Sequence, residues 1–82
     1  MAVVVLQGDL ARRYTAGRME LEVEARDYRQ LLAELERRYP GIGVALSGRV
    51  AVAIDGEIHA DPLLQAIGPQ SEVHFLPVIA GG

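Results

Sequence analysis

No cysteine occurs among the 82 residues. That absence removes a disulfide framework and any thiol nucleophile. A domain this small, without disulfide or metal, must rely on one compact core. Positive charge is also sparse. Eight basic residues stand against eleven acidic ones, for a net charge of -3. Arg12-Arg13 and Arg37-Arg38 are short pairs, not the dense basic face of a phosphate-backbone binder. No apolar run approaches the roughly 20 residues needed to span a bilayer. The opening "MAVVVLQGD" has no basic stretch before it and is too short to act as a secretory signal. Repeats, low-complexity segments and domain linkers are missing too. The expectation is a cytoplasmic globular protein of one domain, binding neither nucleic acid nor membrane.

What is present is hydrophobic and well patterned. Half the residues are hydrophobic, which excludes a disordered tail. Residues 2–7, "AVVVLQ", form a β-branched run apolar on both faces, closed by Gly8-Asp9, and read as a covered strand. Residues 9–17 read as a polar connection ending at Gly17. In "MELEVEA", Met19, Leu21 and Val23 alternate with Glu20, Glu22 and Glu24, giving a half-buried strand with a solvated acidic face. These two strands are expected to pair antiparallel.

"RDYRQLLAELERRYPG" carries the clearest helical signal. Asp27 is placed to cap it, with Gln30 three residues later as in a capping box. Tyr28, Leu31, Leu32, Leu35 and Tyr39 make one apolar stripe, so the spacing predicts a helix over 28–39. Glu34 and Arg38 form an i,i+4 pair on its outer side, and Pro40-Gly41 stops it. Residues 41–48 read as a Gly-rich loop. Val50, Val52 and Ile54 then alternate with Ala51 and Ala53, and Asp55-Gly56 is a hairpin turn signal before a short partner strand, "EIHA". Residues 62–68 have room for a single helical turn. In "SEVHFLPV", Val73 and Phe75 face one way, and His74 and Leu76 the other. The expected core is Val4, Leu6, Leu21, Val23, Leu31, Leu32, Leu35, Val52, Ile54, Val73 and Phe75.

A helix with a single apolar stripe must pack on one face of one sheet. The first and last strands are apolar on both sides, so both are expected centrally. The fold class is α+β: a β-grasp, one mixed sheet packed on one main helix. Residues 1–76 form the domain. Residues 77–82 are a flexible tail, ending on two glycines that have no side chain to pack.

The strand order, "YPG" after the helix, "VAVAIDGE" and above all the ending "EVHFLPVIAGG" resemble the ubiquitin-like sulfur carriers of the MoaD/ThiS family over essentially the whole chain. The sequence departs from that family at "PQSEV", where an acidic turn is usual, and at Gln7, where many members have an aromatic. The longer stretch "IGPQSEVHFLPVIAGG" is also similar to β-grasp tail-assembly proteins of tailed phages, whose function is not sulfur transfer.

The resemblance to the sulfur carriers implies a non-enzymatic role. An E1-like adenylating enzyme would use ATP-Mg to adenylate the carboxylate of Gly82. A persulfide would then displace AMP, leaving a thiocarboxylate. The sulfur would pass to a synthase such as the molybdopterin synthase large subunit or a thiazole synthase. Gly81 and Ala80 would be read by the narrow channels of these partners, where a Cβ at either glycine would meet the wall. Leu76, Pro77 and Val78, with Val5 and Ala51 as neighbours, would form the docking surface, since Leu76 points away from the Phe75 face.

Other candidates carry less. His59 and His74, with no cysteine and no paired-carboxylate motif, do not make a metal or catalytic site. "GIG" at 41–43 lacks the strand-to-helix setting of a phosphate loop and reads as a helix stop. The strand glutamates read as a solvated guard on an edge. The chain is expected to bind no cofactor itself.

Overall fold

The computed structural model describes residues 1–48, 50–59 and 62–77. Its elements run β1 (Ala2–Leu6), α1 (Gly8–Tyr14), β2 (Glu20–Val23), α2 (Tyr28–Arg38), α3 (Ile42–Leu46), β3 (Val50–Ile54), β4 (Glu57–His59) and β5 (Glu72–Pro77). The five strands form one mixed sheet in the order β2-β1-β5-β3-β4. β1 pairs antiparallel with β2 and parallel with β5, and β3 pairs antiparallel with both β5 and β4. β1 and β5, both expected centrally, lie side by side away from the edges.

Alternation assigns the faces. Val4, Leu6, Leu21, Val23, Val52, Ile54, Val73 and Phe75 point inward and are buried. α2 covers them with Tyr28, Leu31 and Leu35. The Tyr28 and Phe75 rings lie 6.1 Å apart, tilted by 42°. Burial raises the Tyr28 phenol to a pKa of about 12. α2 starts as its capping residues dictate: Asp27 Oδ1 accepts from Gln30 N at 2.8 Å. The Gln30 side chain reaches back one residue beyond the usual partner, with Oε1 accepting from Arg26 N at 2.9 Å.

The connections depart from the sequence reading. Residues 9–17 are not an irregular link, because Gly8–Tyr14 is helical. Ala11 is fully buried, and Leu10 and Tyr14 pack against the core. With three apolar positions in seven residues, the stripe is too short to stand out beside Arg12 and Arg13. Residues 41–48 are not a plain loop either, since Ile42–Leu46 forms α3 and buries Ile42 and Leu46 at i,i+4. Gly41, at φ 97°, makes the left-handed break between the two helices. Its amide and that of Gly43 donate to the Glu36 carboxylate at 2.7 and 2.9 Å. These two bonds hold the Glu36 carboxyl below its usual range. A side chain of α2 thus caps the helix that follows.

Residues 62–65 make a turn closed by Gln65 N to Pro62 O at 2.8 Å, not a helical turn. After it, Ala66 bridges Asp27 and Ile67 is buried. Leu32, expected in the core, packs only at its margin. Met19 precedes β2 and is 49% exposed, although its parity matches Leu21.

Candidate functional site

The sequence directs attention to the carboxyl end, and the structure describes the strand that leads to it. β5 is held on both sides: Val3, Val4, Val5 and Leu6 pair with Glu72 through Phe75, while Val50 through Ile54 pair with Pro77 back to Val73. Phe75 and Val73 are completely buried. The pairing with β1 stops at Phe75, because β1 ends at Leu6. Leu76 and Pro77 keep only β3, opposite Ala51 and Val50. The last described residues thus extend past the end of one neighbour while still paired with the other. Gly82, Gly81, Ala80 and Val78 lie outside the described residues.

The start of β5 is fixed by a polar cluster that the sequence reading missed. Asp55 sits in the β3–β4 turn at φ 50°, followed by Gly56 at φ 86°, the backbone a tight hairpin turn needs. Its carboxylate accepts from Ser71 Oγ and from Glu72 N, both at 2.9 Å. Asp55 N donates to Glu72 O at 2.9 Å. Ser71 is buried, and its hydroxyl also accepts from Gly68 N at 2.8 Å. The only hint in the sequence was "PQSEV" itself: an uncommon turn ending in a serine whose partner, Asp55, is sixteen residues away.

The outer face of the sheet is laid out by the strand registers. One row runs Glu20, Val5, His74, Ala53, Ile58. A second runs Glu22, Val3, Glu72, and a third pairs Leu76 with Ala51. The expected neighbours of Leu76 are thus on its face, Ala51 directly opposite and Val5 in the adjoining row. Leu76, Ala51, Val3 and Val5 are half-buried, and Ile58 is 71% exposed. Small and β-branched residues dominate the half nearest Leu76. Glu22 and Glu72 occupy the row nearest the start of β5, and Glu20 ends the row of Val5.

His74 and His59 do not come together. His74 Nε2 lies 3.5 Å from Glu72 on the outer face, and His59 Nε2 lies 3.9 Å from Glu57 on the edge strand. Among the described residues no three His, Asp or Glu side chains converge on a metal position, and no helix is long and apolar enough to cross a membrane. A cleft lined by Ala2, Glu24, Arg26, Gln30 and Ile67 opens at the starts of β1 and β5, the end of the sheet opposite Pro77.

A mixed five-stranded sheet wrapped on one main helix, with its carboxyl-terminal strand inside the sheet, defines the ubiquitin-like β-grasp class. Residues 8–82 match the model of the ThiS family, and the chain belongs to that family of ubiquitin-like sulfur carriers. Solved structures agree on the fold. CysO of Mycobacterium tuberculosis superposes with a TM-score of 0.86 at 20% identity, covering 96% of this chain and 100% of that one. A chain of the Amycolatopsis orientalis BexX/CysO complex gives 0.87 at 21% identity, with 100% of both chains covered. The small archaeal modifier protein 1 of Methanosarcina acetivorans gives 0.81 at 22%, covering 99% and 95%. No curated protein sequence matches the chain.

Proposed function

We propose that the chain is a sulfur carrier that is adenylated and then thiocarboxylated at Gly82 and donates that sulfur in cofactor biosynthesis of the molybdopterin or thiamin type. The observation that carries the reading is the anchoring of β5. β5 is locked at Val73 and Phe75 and stays paired with β3 through Pro77, and in sequence the five residues that follow end in Gly81-Gly82.

The chemistry follows from the carboxylate. An anion whose leaving group would be oxide is a poor electrophile and must be activated. A carboxylate oxygen of Gly82 attacks the α-phosphorus of ATP, and pyrophosphate leaves. The terminal sulfur of a persulfide then attacks the acyl carbon, and AMP leaves. A thiol cleaves the remaining S–S bond, freeing the thiocarboxylate. ATP-Mg and the persulfide belong to partner proteins, an E1-like adenylating enzyme and a sulfur donor. A sulfur-accepting synthase of the molybdopterin synthase or thiazole synthase type takes the product. The chain acts as the substrate passed between them, working in the cytoplasm.

Docking uses the outer face. Leu76 offers apolar contact near the end of β5, and Pro77 and Val78, which follow it in sequence, are proposed to extend that contact. Glu72 lies farther back, about 13 Å from Leu76 for four residues of strand, and Glu22 lies two strands across from it in the same row. The matching partner surface is apolar at the mouth of its tail channel and basic behind it. CysO in complex with BexX is a precedent for a protein of this fold in a binary assembly.

The test is incubation with the adenylating enzyme of the same organism, ATP-Mg and a sulfur donor, followed by intact mass. The expected product gains one oxygen-to-sulfur exchange, located at Gly82, and loses it when Gly82 is deleted. An unchanged mass, with no acyl-adenylate formed, would refute the reading.

A further inference from the structure

All eight basic residues are arginine, and these 82 residues contain no lysine. The structure separates arginines whose planar fork is needed from those where any cation would serve. Arg37 and Arg38 converge on Glu34: each donates from Nε to the carboxylate at 3.0 Å, and a second Arg37 N–H reaches the same group. Arg38 also donates to the Glu22 carbonyl at 2.9 Å. One ammonium cannot reproduce these forks. Arg12 and Arg13 are different. They stand only 3.6 and 4.0 Å from Asp9, with side chains 73% and 68% exposed, a loose pairing that lysine supplies equally well. Fork geometry therefore does not account for arginine at positions 12 and 13.

The two cations differ in one chemical respect that bears on an activated carboxyl group. A guanidinium stays protonated at any physiological pH and offers no nucleophilic nitrogen. A lysine amine titrates near about 10.4, so a small free fraction is always present to attack an acyl group. In that attack the amine lone pair forms an N–C bond to the acyl carbon, the C–O bond to AMP breaks, AMP leaves with the electron pair, and the nitrogen gives one proton to water. We infer that the chain is an acyl donor with no amide-forming acceptor on its own side chains. Resting on the carrier reading above, this means that an adenylated Gly82 cannot be linked to a side-chain amine of a second copy. If the chain is joined to other proteins, it adds as an unbranched unit. Within these 82 residues, amide linkage of one copy to another through a side chain is thereby excluded.

The experiment uses the full chain with its α-amine acetylated, the adenylating enzyme of the same organism and ATP-Mg, without a sulfur donor. Hydroxylamine in one arm traps the activated Gly82 as a hydroxamate. Free lysine in a second arm sets the coupling rate per amine. The wild type alone, Arg12→Lys and Arg13→Lys are then compared for covalent dimers by intact mass. The expected result is a hydroxamate, a lysine adduct, no wild-type dimer, and dimers in both lysine variants at the rate set by free lysine. Wild-type dimers would overturn the inference, with tandem mass spectrometry locating the acceptor. So would lysine variants that fail to dimerise while free lysine couples, because the surface and not the missing amine would then exclude acceptance. Free lysine failing where hydroxylamine succeeds would also sink it. Absence of the hydroxamate would refute the carrier reading itself, and the inference with it.

Discussion

The two faces of the sheet are built from the same five strands but answer to different demands. Inward, Val4, Leu6, Phe75 and Val73 are fully buried, and apart from Ala2 the positions are large or β-branched. Outward, Ala51, Ala53, Val3, Val5 and Leu76 are smaller or half-buried, and Glu20, Glu22 and Glu72 reach solvent. The inner face excludes water and supplies stability in proportion to apolar area. The outer face leaves apolar surface partly wet beside the strand that leads to the tail. The difference teaches that stability and recognition can be altered separately in this fold, by choosing the parity of the strand position.

The sharpest way to break that separation is on β5 itself, where adjacent residues serve opposite faces. Phe75→Ala empties the space beside Tyr28 in the buried core. It should cost about 3–5 kcal/mol, read by denaturant unfolding. A loss below about 1 kcal/mol would mean that the inner face is not the core.

Asp55→Ala comes next. It leaves Ser71 Oγ and the Glu72 amide without their acceptor, at a cost of about 1–3 kcal/mol. Asp55→Asn keeps one acceptor oxygen and tolerates the left-handed backbone, so it should lose less. Equal losses would refute this account of the turn, because Asn keeps both the left-handed backbone and one acceptor oxygen.

Leu76→Glu tests the outer face. Its unfolding free energy should shift by less than about 1 kcal/mol, while binding to the adenylating enzyme weakens strongly and KM for the chain rises at unchanged kcat. An unfolded variant would place Leu76 with the core and end the comparison.

The smallest effect is a pH effect on the helix side, away from both faces. Arg37 and Arg38 hold the Glu34 carboxyl at about 2, through their hydrogen bonds first and their charges second. A carboxyl depressed in the folded state stabilises above its unfolded value of 4.5, and that contribution is lost as the pH falls towards 2. Melting temperatures of the wild type and Glu34→Gln should therefore differ slightly above pH 5 and converge as the pH falls to about 2. A gap that stays constant across that window would refute the assignment.

The sequence by itself determined whatever rests on local periodicity. Alternation at Leu21 and Val23, at Val52 and Ile54, and at Val73 and Phe75 identified the inner face, because successive strand residues must point to opposite sides. The Leu31–Leu35 stripe and the Asp27–Gln30 pair placed α2, since both signals lie within one or two helical turns. The diglycine was legible as a motif. The tertiary structure alone decided the rest. α1 and α3 are seven and five residues long, too short to be stable by propensity. They are helical because Ala11, Ile42 and Leu46 find a core to bury against. Asp55 and Ser71 are paired by the fold, as no local rule joins residues sixteen apart. The parallel contact of β1 with β5 likewise joins opposite ends of the chain. This contact ends at Leu6, while β5, still paired with β3, continues to Pro77.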